Sequence, residues 1–397
     1  MNILVLTYWS YNDALIQTYT LPYVQIISKY LPENSKIFLL TLDKDKCNGN
    51  SKNNIDNIQY ISFQYKPFGF SGIIMWFKIL IKLFWIIKKE RITTIHAWCT
   101  PAGMLGYILS ILTFKKLIID SYEPHAEAMV ENGSWKKSSF AFRLLFRFEK
   151  YQTKRAQHLV AATYGMKKYA ELKYKHVKNN FFVKPACVNL ELFSKANIKN
   201  LALLDELQLV KKIVCVYAGK FGGIYLDHEV FDFFSVAENF WGEKFRVLLL
   251  SSHSKEEIES FIIQSQLNSE TLVHRFVDHI EMPNYLGLGD FAITPVKPVP
   301  TKRYCTPIKD GEYWALGLPI VITKNISEDS ELIEKYKIGA VIEDLNKESY
   351  LKAIHEIDEL ISGNTRIELY NKIRPIAENH RNFVIAENIY NEIYSKG

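Results

Sequence analysis

The run densest in reactive side chains is Thr306-Pro-Ile-Lys-Asp-Gly-Glu-Tyr-Trp-Ala-Leu-Gly-Leu-Pro-Ile-Val-Ile-Thr323. Pro307 suits the first position of a helix, where a missing N–H costs nothing. The open amides of that first turn, with Thr306 before them and Lys309 among them, would form an anion site. Glu312 follows Lys309 by three residues, about one helical turn, so both side chains can face one crevice. Gly317 then ends the helix and Pro319 begins a strand. The plainer alternative is a surface helix with an exposed Lys309–Glu312 pair.

A second run, Val216-Tyr-Ala-Gly-Lys-Phe-Gly-Gly-Ile-Tyr225, leaves an apolar strand through Gly219, Gly222 and Gly223. Such a turn lets backbone amides approach a phosphate closely, and Lys220 would add a positive charge. A third, Ile119-Asp-Ser-Tyr-Glu-Pro-His-Ala-Glu-Ala-Met129, follows a buried strand, outside whose carboxyl end ligands bind in open parallel sheets. It gathers His125 with Asp120, Glu123 and Glu127, a costly grouping at a strand exit unless it is used. The alternative there is an ordinary helix start, which favours Pro124 and early acids anyway.

The first run resembles the donor-binding motif of retaining, GT-B-fold glycosyltransferases of family 4 type, roughly S/T-P-x-K-x-x-E-Y-x-A-x-G-x-P-V, with Ile320 in place of Val. The resemblance implies that Glu312 binds the ribose hydroxyls of a sugar nucleotide. Thr306, Pro307, Lys309 and the first amides of the helix would face its diphosphate or sugar. The second run is similar to the first loop of that family's C-terminal domain, where the place of Gly219-Lys220 supplies a cation to the leaving diphosphate. Weaker likenesses are Lys184–Phe193 at the domain junction, and Arg275–Leu286, whose Arg275 and Phe276 would line the nucleobase. His125 takes the place of a His that faces the reacting sugar, with Glu123 or Glu127 orienting it or holding the acceptor. The resemblance covers most of Pro185–Val341; before that it extends only to architecture. Two positions depart from the pattern. The acidic partner expected eight residues before Glu312 is Tyr304, and the second cation expected five residues after Lys220 is Tyr225.

The implied activity is transfer of a sugar from a nucleotide donor to a hydroxyl of a glycan or lipid-linked glycan in cell-surface polysaccharide biosynthesis, with retention. The implied catalytic set is His125, Glu123, Glu127 and Lys220. No metal or cofactor is expected, since lysines and helix amides can neutralise the diphosphate; the donor's base stays open. Two other readings fit the same residues: a sugar-nucleotide epimerase on this fold, and a non-catalytic sugar-nucleotide or glycan-binding protein, which Tyr304 favours. No G-x-G-x-x-G follows either domain's first strand, which disfavours a nicotinamide enzyme.

These residues need a scaffold, and the pattern supplies one twice. Short apolar runs at 2–7, 36–41, 58–65, 93–98, 116–120 and 158–161 alternate with helical stretches at 13–30, 72–90, 102–113 and 135–155. The rhythm restarts with strands at 213–218, 247–251, 272–276, 291–294 and 319–323. Buried strands alternating with helices predict parallel sheets. The expected fold is α/β, GT-B, with two Rossmann-like domains facing each other across a cleft. Residues 1–190 would bind the acceptor and 191–375 the donor, while a helix in 376–397 could pack back on the first domain. The stretch Asp43–Asn57, rich in Lys and Asn, reads as a solvated loop.

Composition agrees with two soluble cores: 397 residues, 48% hydrophobic and 23% charged. Five scattered cysteines without CxxC spacing suggest neither a disulfide framework nor a zinc site. The first ten residues read as a strand, not a leader, and no run is long and apolar enough to span a bilayer. The net charge of +6 is concentrated: residues 61–155 hold fifteen Lys or Arg against six Asp or Glu. Within it, Lys78, Lys82, Trp85 and Lys89 fall on one side of the helix at 72–89, a stripe suited to anionic headgroups. Trp135, Lys136, Lys137, Phe142, Arg143, Phe146 and Arg147 would extend it. The alternative is a core helix with one solvated stripe. Nucleic acid is not expected, because no reader motif accompanies the charge. The chain is expected in the cytoplasm, and this stripe could hold it on the inner face of the cytoplasmic membrane.

Overall fold

The computed structural model describes residues 1–13, 15–43, 57–66, 70–175 and 180–395. The interior of the expected loop Asp43–Asn57, with Cys47, lies outside the described residues. The chain forms two units: Met1–Pro185 with Val384–Gly397, and Ala186–Phe383. The first unit therefore ends at Pro185 rather than at residue 190. The return to it begins at Val384 rather than at 376, because Ile376 and Ala377 are still buried in the second unit's core.

The first unit runs β1 (Asn2–Leu6), α1 (Leu21–Lys29), β2 (Ile37–Asp43), β3 (Ile58–Gln64), α2 (Phe70–Lys89), β4 (Ile92–Trp98), α3 (Cys99–Thr113) and β5 (Lys116–Tyr122). It continues with α4 (His125–Glu131), α5 (Phe140–Arg155), β6 (His158–Ala161), α6 (Gly165–Tyr174) and β7 (Phe181–Val183). Its sheet has the order β3-β2-β1-β4-β5-β6-β7, every pair parallel. The helix expected at 13–30 is two pieces, since a π-type turn, Leu15–Thr20, precedes α1. The helix expected at 135–155 begins only at Phe140, where the Ser139 hydroxyl accepts the Phe142 N–H. Phe142 is buried with Ala126 and Leu145, and Phe146 packs on them, so these two rings do not extend a surface patch.

The second unit runs α7 (Leu201–Glu206), β8 (Ile213–Ala218), α8 (His228–Trp241), β9 (Phe245–Leu250), α9 (Lys255–Ser265), β10 (Leu272–Arg275) and α10 (Met282–Leu286). Then come β11 (Phe291–Thr294), α11 (Ile308–Ala315), β12 (Ile320–Thr323), α12 (Asp329–Tyr336), β13 (Gly339–Ile342), α13 (Lys347–Ser362) and α14 (Arg366–His380). Its sheet order is β10-β9-β8-β11-β12-β13, again parallel. Strand alternation divides the core between the two faces. Val214, Val216 and Ala218 of β8 join one apolar cluster, while Cys215 and Tyr217 join the other. The edge strands β7 and β13 were not expected from sequence; each is only three or four residues long. At Gly339 a Cβ would stand 2.1 Å from the Ile320 carbonyl oxygen, so that edge pairing tolerates no side chain there.

The last helix, α15 (Phe383–Ser395), belongs from Val384 onward to the first unit. Its Tyr390 and Tyr394 are buried there. The Tyr390 hydroxyl donates to Asp120 Oδ2 at 2.7 Å, and the Tyr394 hydroxyl pairs with His96 Nδ1 at 2.6 Å.

Candidate functional site

In the second unit the strand order reverses between β8 and β11, and ligands of doubly wound sheets bind at such a switch point, outside the carboxyl ends of the strands. The loops leaving β8 and β11 are stitched together. Leu226 N–H donates to the Pro295 carbonyl at 2.8 Å, Lys297 N–H to Ile224 at 3.0 Å, and Tyr225 bridges to Val296. The glycine loop is pinned from below as well. The Tyr217 hydroxyl donates to the Lys220 carbonyl at 2.6 Å, and Phe221 N–H donates to His253 Nε2 at 2.9 Å. Gly222 and Gly223 take φ of +78° and +64°, a region that favours glycine.

Helix α11 follows β11 with its inner residues fixed. Asp310, Tyr313 and Trp314 are fully buried, and the Tyr313 hydroxyl accepts the Ala218 N–H at 3.2 Å. The Thr294 hydroxyl bonds Asp310. That spacing turns Lys309 and Glu312 away from the core contacts. A Cβ on Gly219 would stand 2.8 Å from Lys309 Cε and 3.0 Å from its Nζ, so the lysine lies directly over the glycine. Its ammonium sits 4.9 Å from the centre of the Tyr225 ring and 3.4 Å from the Tyr225 hydroxyl. The position that lacks the expected cation thus holds another residue's cation in place.

Burial raises two carboxyls on α11, Asp310 and Glu312; Thr294 bonds Asp310, whereas Glu312 lies beside Lys309. Glu312 is only 9% exposed, and its carboxylate has no hydrogen-bond partner among the described residues. Burial pushes its pKa up to about 7, and the neighbouring Lys309 charge only partly opposes that. A buried carboxylate beside a cation, on the helix that follows a switch-point strand, is suited to accept hydrogen bonds from a polyhydroxylated ligand.

The other expected residues are placed less uniformly. Pro307 stands just before α11, not as its first residue, and no side chain caps the helix. The Thr306 hydroxyl accepts the Ala186 N–H at 2.8 Å, which fixes the start of the unit. Lys220 is exposed, and its ammonium has no partner among the described residues. Arg275 ends β10, two strands from β8, and Phe276 follows it; Arg275 Nη1 bonds the adjacent His274 carbonyl, and Phe276 is 73% exposed. Neither forms a hydrogen bond or ion pair with Lys309 or Glu312. Among the described residues one group could hold a metal ion, Asp227, His228 and Glu229. It caps α8, with Asp227 accepting the His228 N–H at 2.8 Å.

In the first unit the run after β5 separates into two roles. His125 Nδ1 pairs with Glu123 Oε1 at 3.1 Å, both partly exposed. Glu127 instead accepts from the Tyr169 hydroxyl at 2.7 Å and Lys173 at 3.2 Å, which commits it to α6. Asp120 is not at the exit but fully buried. Its Oδ1 lies 3.3 Å from the Lys184 ammonium, and its Oδ2 meets His96 at 3.3 Å besides Tyr390. Burial alone would raise Asp120, but Lys184, His96 and Tyr390 outweigh it and hold the carboxyl at about 2. Sequence reading missed Glu149. Its carboxylate accepts the Ala126 N–H and the Tyr174 hydroxyl, each at 2.8 Å, and so positions the residue next to His125. Burial pushes Glu149 up to about 7 against those hydrogen bonds. The signal was a lone acid at a core-facing position of an otherwise basic helix.

No protein-family model matches the chain, and no curated protein sequence matches it. Solved structures do. The chain resembles sucrose-phosphate synthase from Thermosynechococcus elongatus with a TM-score of 0.78 at 13% identity, over 100% of this chain and 98% of that one. It resembles Anabaena Alr3699/HepE, solved in complex with UDP-glucose, with a TM-score of 0.72 at 14% identity over the whole of both chains. It resembles WaaG, a glycosyltransferase involved in lipopolysaccharide biosynthesis, with a TM-score of 0.72 at 12% identity over the whole of both. At such identities the likeness is one of fold. The architecture is GT-B: two Rossmann-like units, each with a parallel sheet.

Proposed function

We propose that the protein is a glycosyltransferase whose second unit binds a nucleotide-sugar donor. The observation that carries this reading is Glu312, a buried and unpartnered carboxylate one helical turn from a lysine held over Gly219. Glu312 would accept hydrogen bonds from both ribose hydroxyls. Lys309, the exposed Lys220 and the uncapped amides of α11 would take the diphosphate. A structural neighbour solved with UDP-glucose supports a donor of this class. As the bond from the sugar's C1 to the diphosphate oxygen breaks, negative charge grows on the leaving group and the two lysines stabilise it electrostatically. A new bond forms from C1 to an acceptor hydroxyl, whose proton passes to the departing diphosphate oxygen.

The first unit would take the acceptor, a glycan or lipid-linked glycan, near the His125–Glu123 pair. With Glu127 bound to α6, Glu123 is the carboxylate that orients His125. Transfer is read as retaining and independent of metal, in cell-surface polysaccharide synthesis. The test is product analysis with a labelled nucleotide sugar. Slow donor hydrolysis without acceptor, and transfer with unchanged anomeric configuration when one is added, support the reading. Conversion to an isomeric nucleotide sugar without acceptor would identify an epimerase instead. Binding with no turnover would identify a sugar-nucleotide sensor.

A further inference from the structure

Helix α2 is apolar on two sides, and the sheet needs only one. Met75, Ile79, Leu83 and Ile87 are buried. On the other side Ile73, Phe77, Ile81 and Trp85 repeat every fourth residue and are 67%, 62%, 45% and 65% exposed. Lys78, Lys82, Lys88 and Lys89 flank that ridge, all exposed. The ridge, rather than a lysine stripe with Trp85 at its edge, is the dominant feature of this surface. Helix α3 packs beside α2; its last turn carries exposed Ile111 and Leu112, and exposed Phe114 follows, then Lys115 and Lys116. Neither helix contains an acidic residue.

Large apolar side chains rarely gather on a soluble surface without a partner. The charges around them say which partner. A second copy of this chain would set lysines against lysines, which isologous contacts penalise. The helix does not span a bilayer, since among the described residues none is long and apolar enough to cross one. It has the composition of a helix lying in the plane of a membrane surface.

We propose that α2, continued by the end of α3, seats the first unit on an anionic lipid bilayer. Ile73, Phe77, Ile81 and Trp85 enter the boundary between headgroups and acyl chains, and the flanking lysines meet lipid phosphates. The proposal does not depend on the activity assigned above.

The test uses the intact protein with vesicles of equal parts phosphatidylglycerol and phosphatidylcholine, and with phosphatidylcholine alone. Wild type should co-sediment with the anionic vesicles at low salt, several-fold less at high salt, and hardly at all with the neutral ones. The double variant Phe77→Ser, Trp85→Ser should bind about tenfold more weakly with an unchanged unfolding temperature, because both side chains are exposed. Lipids brominated in the acyl chain should quench wild-type tryptophan fluorescence, and Trp85→Phe should lose most of that quenching. No binding at low salt would overturn the proposal. So would binding indifferent to the double variant, which is simple adsorption of a basic protein, or quenching unchanged in Trp85→Phe. A wild-type dimer that Phe77→Ser dissociates, with vesicles ignored, would assign the face to self-association.

Discussion

Asp120 and Glu312 are both buried carboxylates in Rossmann-like sheets, and their surroundings are opposite. Asp120 meets an ammonium, an imidazole and a phenol from three other parts of the first unit, and its carboxyl sits at about 2. Glu312 has one lysine a helical turn away and no hydrogen bond, and burial lifts it to about 7. A carboxylate with its partners built in is architecture. One whose partners are missing keeps an electrostatic deficit that a ligand can relieve. The charge of Asp120 ties β4, β5, the residue before the unit boundary and the C-terminal helix together. The charge of Glu312 sits on α11, one turn from a lysine that lies over the Gly219 loop.

The largest expected effect breaks the first half of that comparison. Asp120→Asn leaves the Lys184 ammonium buried without a counter-charge, which should cost about 3–5 kcal/mol of stability. Chemical denaturation followed by circular dichroism would measure it. The sign with pH follows from the lowered pKa. The stabilisation from Asp120 is present above the ordinary carboxyl pKa and is lost as pH falls towards about 2.

Glu312→Gln should do the reverse to the empty protein. Glu312 binds its proton more tightly folded than unfolded, so stability falls as pH rises from the ordinary carboxyl value to about 7, and the full penalty stands above that. Removing that charge should raise unfolding stability at pH 8 by up to about 3 kcal/mol and should change little near pH 4. A variant less stable than wild type at pH 8 would mean that Glu312 has structural partners after all.

Lys309→Ala should lower kcat about 100-fold, near 2.7 kcal/mol, because the diphosphate charge it meets grows in the transition state. A loss confined to KM would assign Lys309 to ground-state binding. The smallest effect belongs to Tyr225, a positioning residue that acts through Lys309. Tyr225→Ala should reduce kcat about tenfold alone and add little in the Lys309→Ala background. Additive losses would separate the two residues.

The contrast also explains what could be read from the sequence. The Glu312 motif is contiguous, so Lys309, Glu312 and the glycine loop are legible as a string, and the structure brings Gly219 and Lys309 together. Asp120 was misread as one of three acids at a strand exit. Its real partners, His96, Lys184 and Tyr390, are scattered along the chain, and only the fold assembles them. Glu127 went the same way, since Tyr169 and Lys173 sit some forty residues downstream on α6. Long strands with clear alternation were placed within a residue or two. The edges β7 and β13 were not; length alone does not explain it, since β6, β11 and β12 are only four residues long too and stand out as apolar runs. At Tyr225 the sequence showed a missing cation, and only geometry showed Lys309 resting on that ring.

The central claim is that the β8/β11 switch point holds a nucleotide through Glu312. The direct measurement is calorimetric titration of wild type and Glu312→Gln with UDP, GDP, CMP and dTDP between pH 6 and pH 9. The account predicts that at least one nucleotide binds wild type at pH 8. Glu312→Gln should bind it at least tenfold more weakly, about 1.4 kcal/mol. Wild-type affinity should also fall as pH drops through about 7, where Glu312 takes up its proton, and the variant should show no such step. Equal affinity of the two proteins, or no nucleotide bound by wild type at any pH, would contradict it.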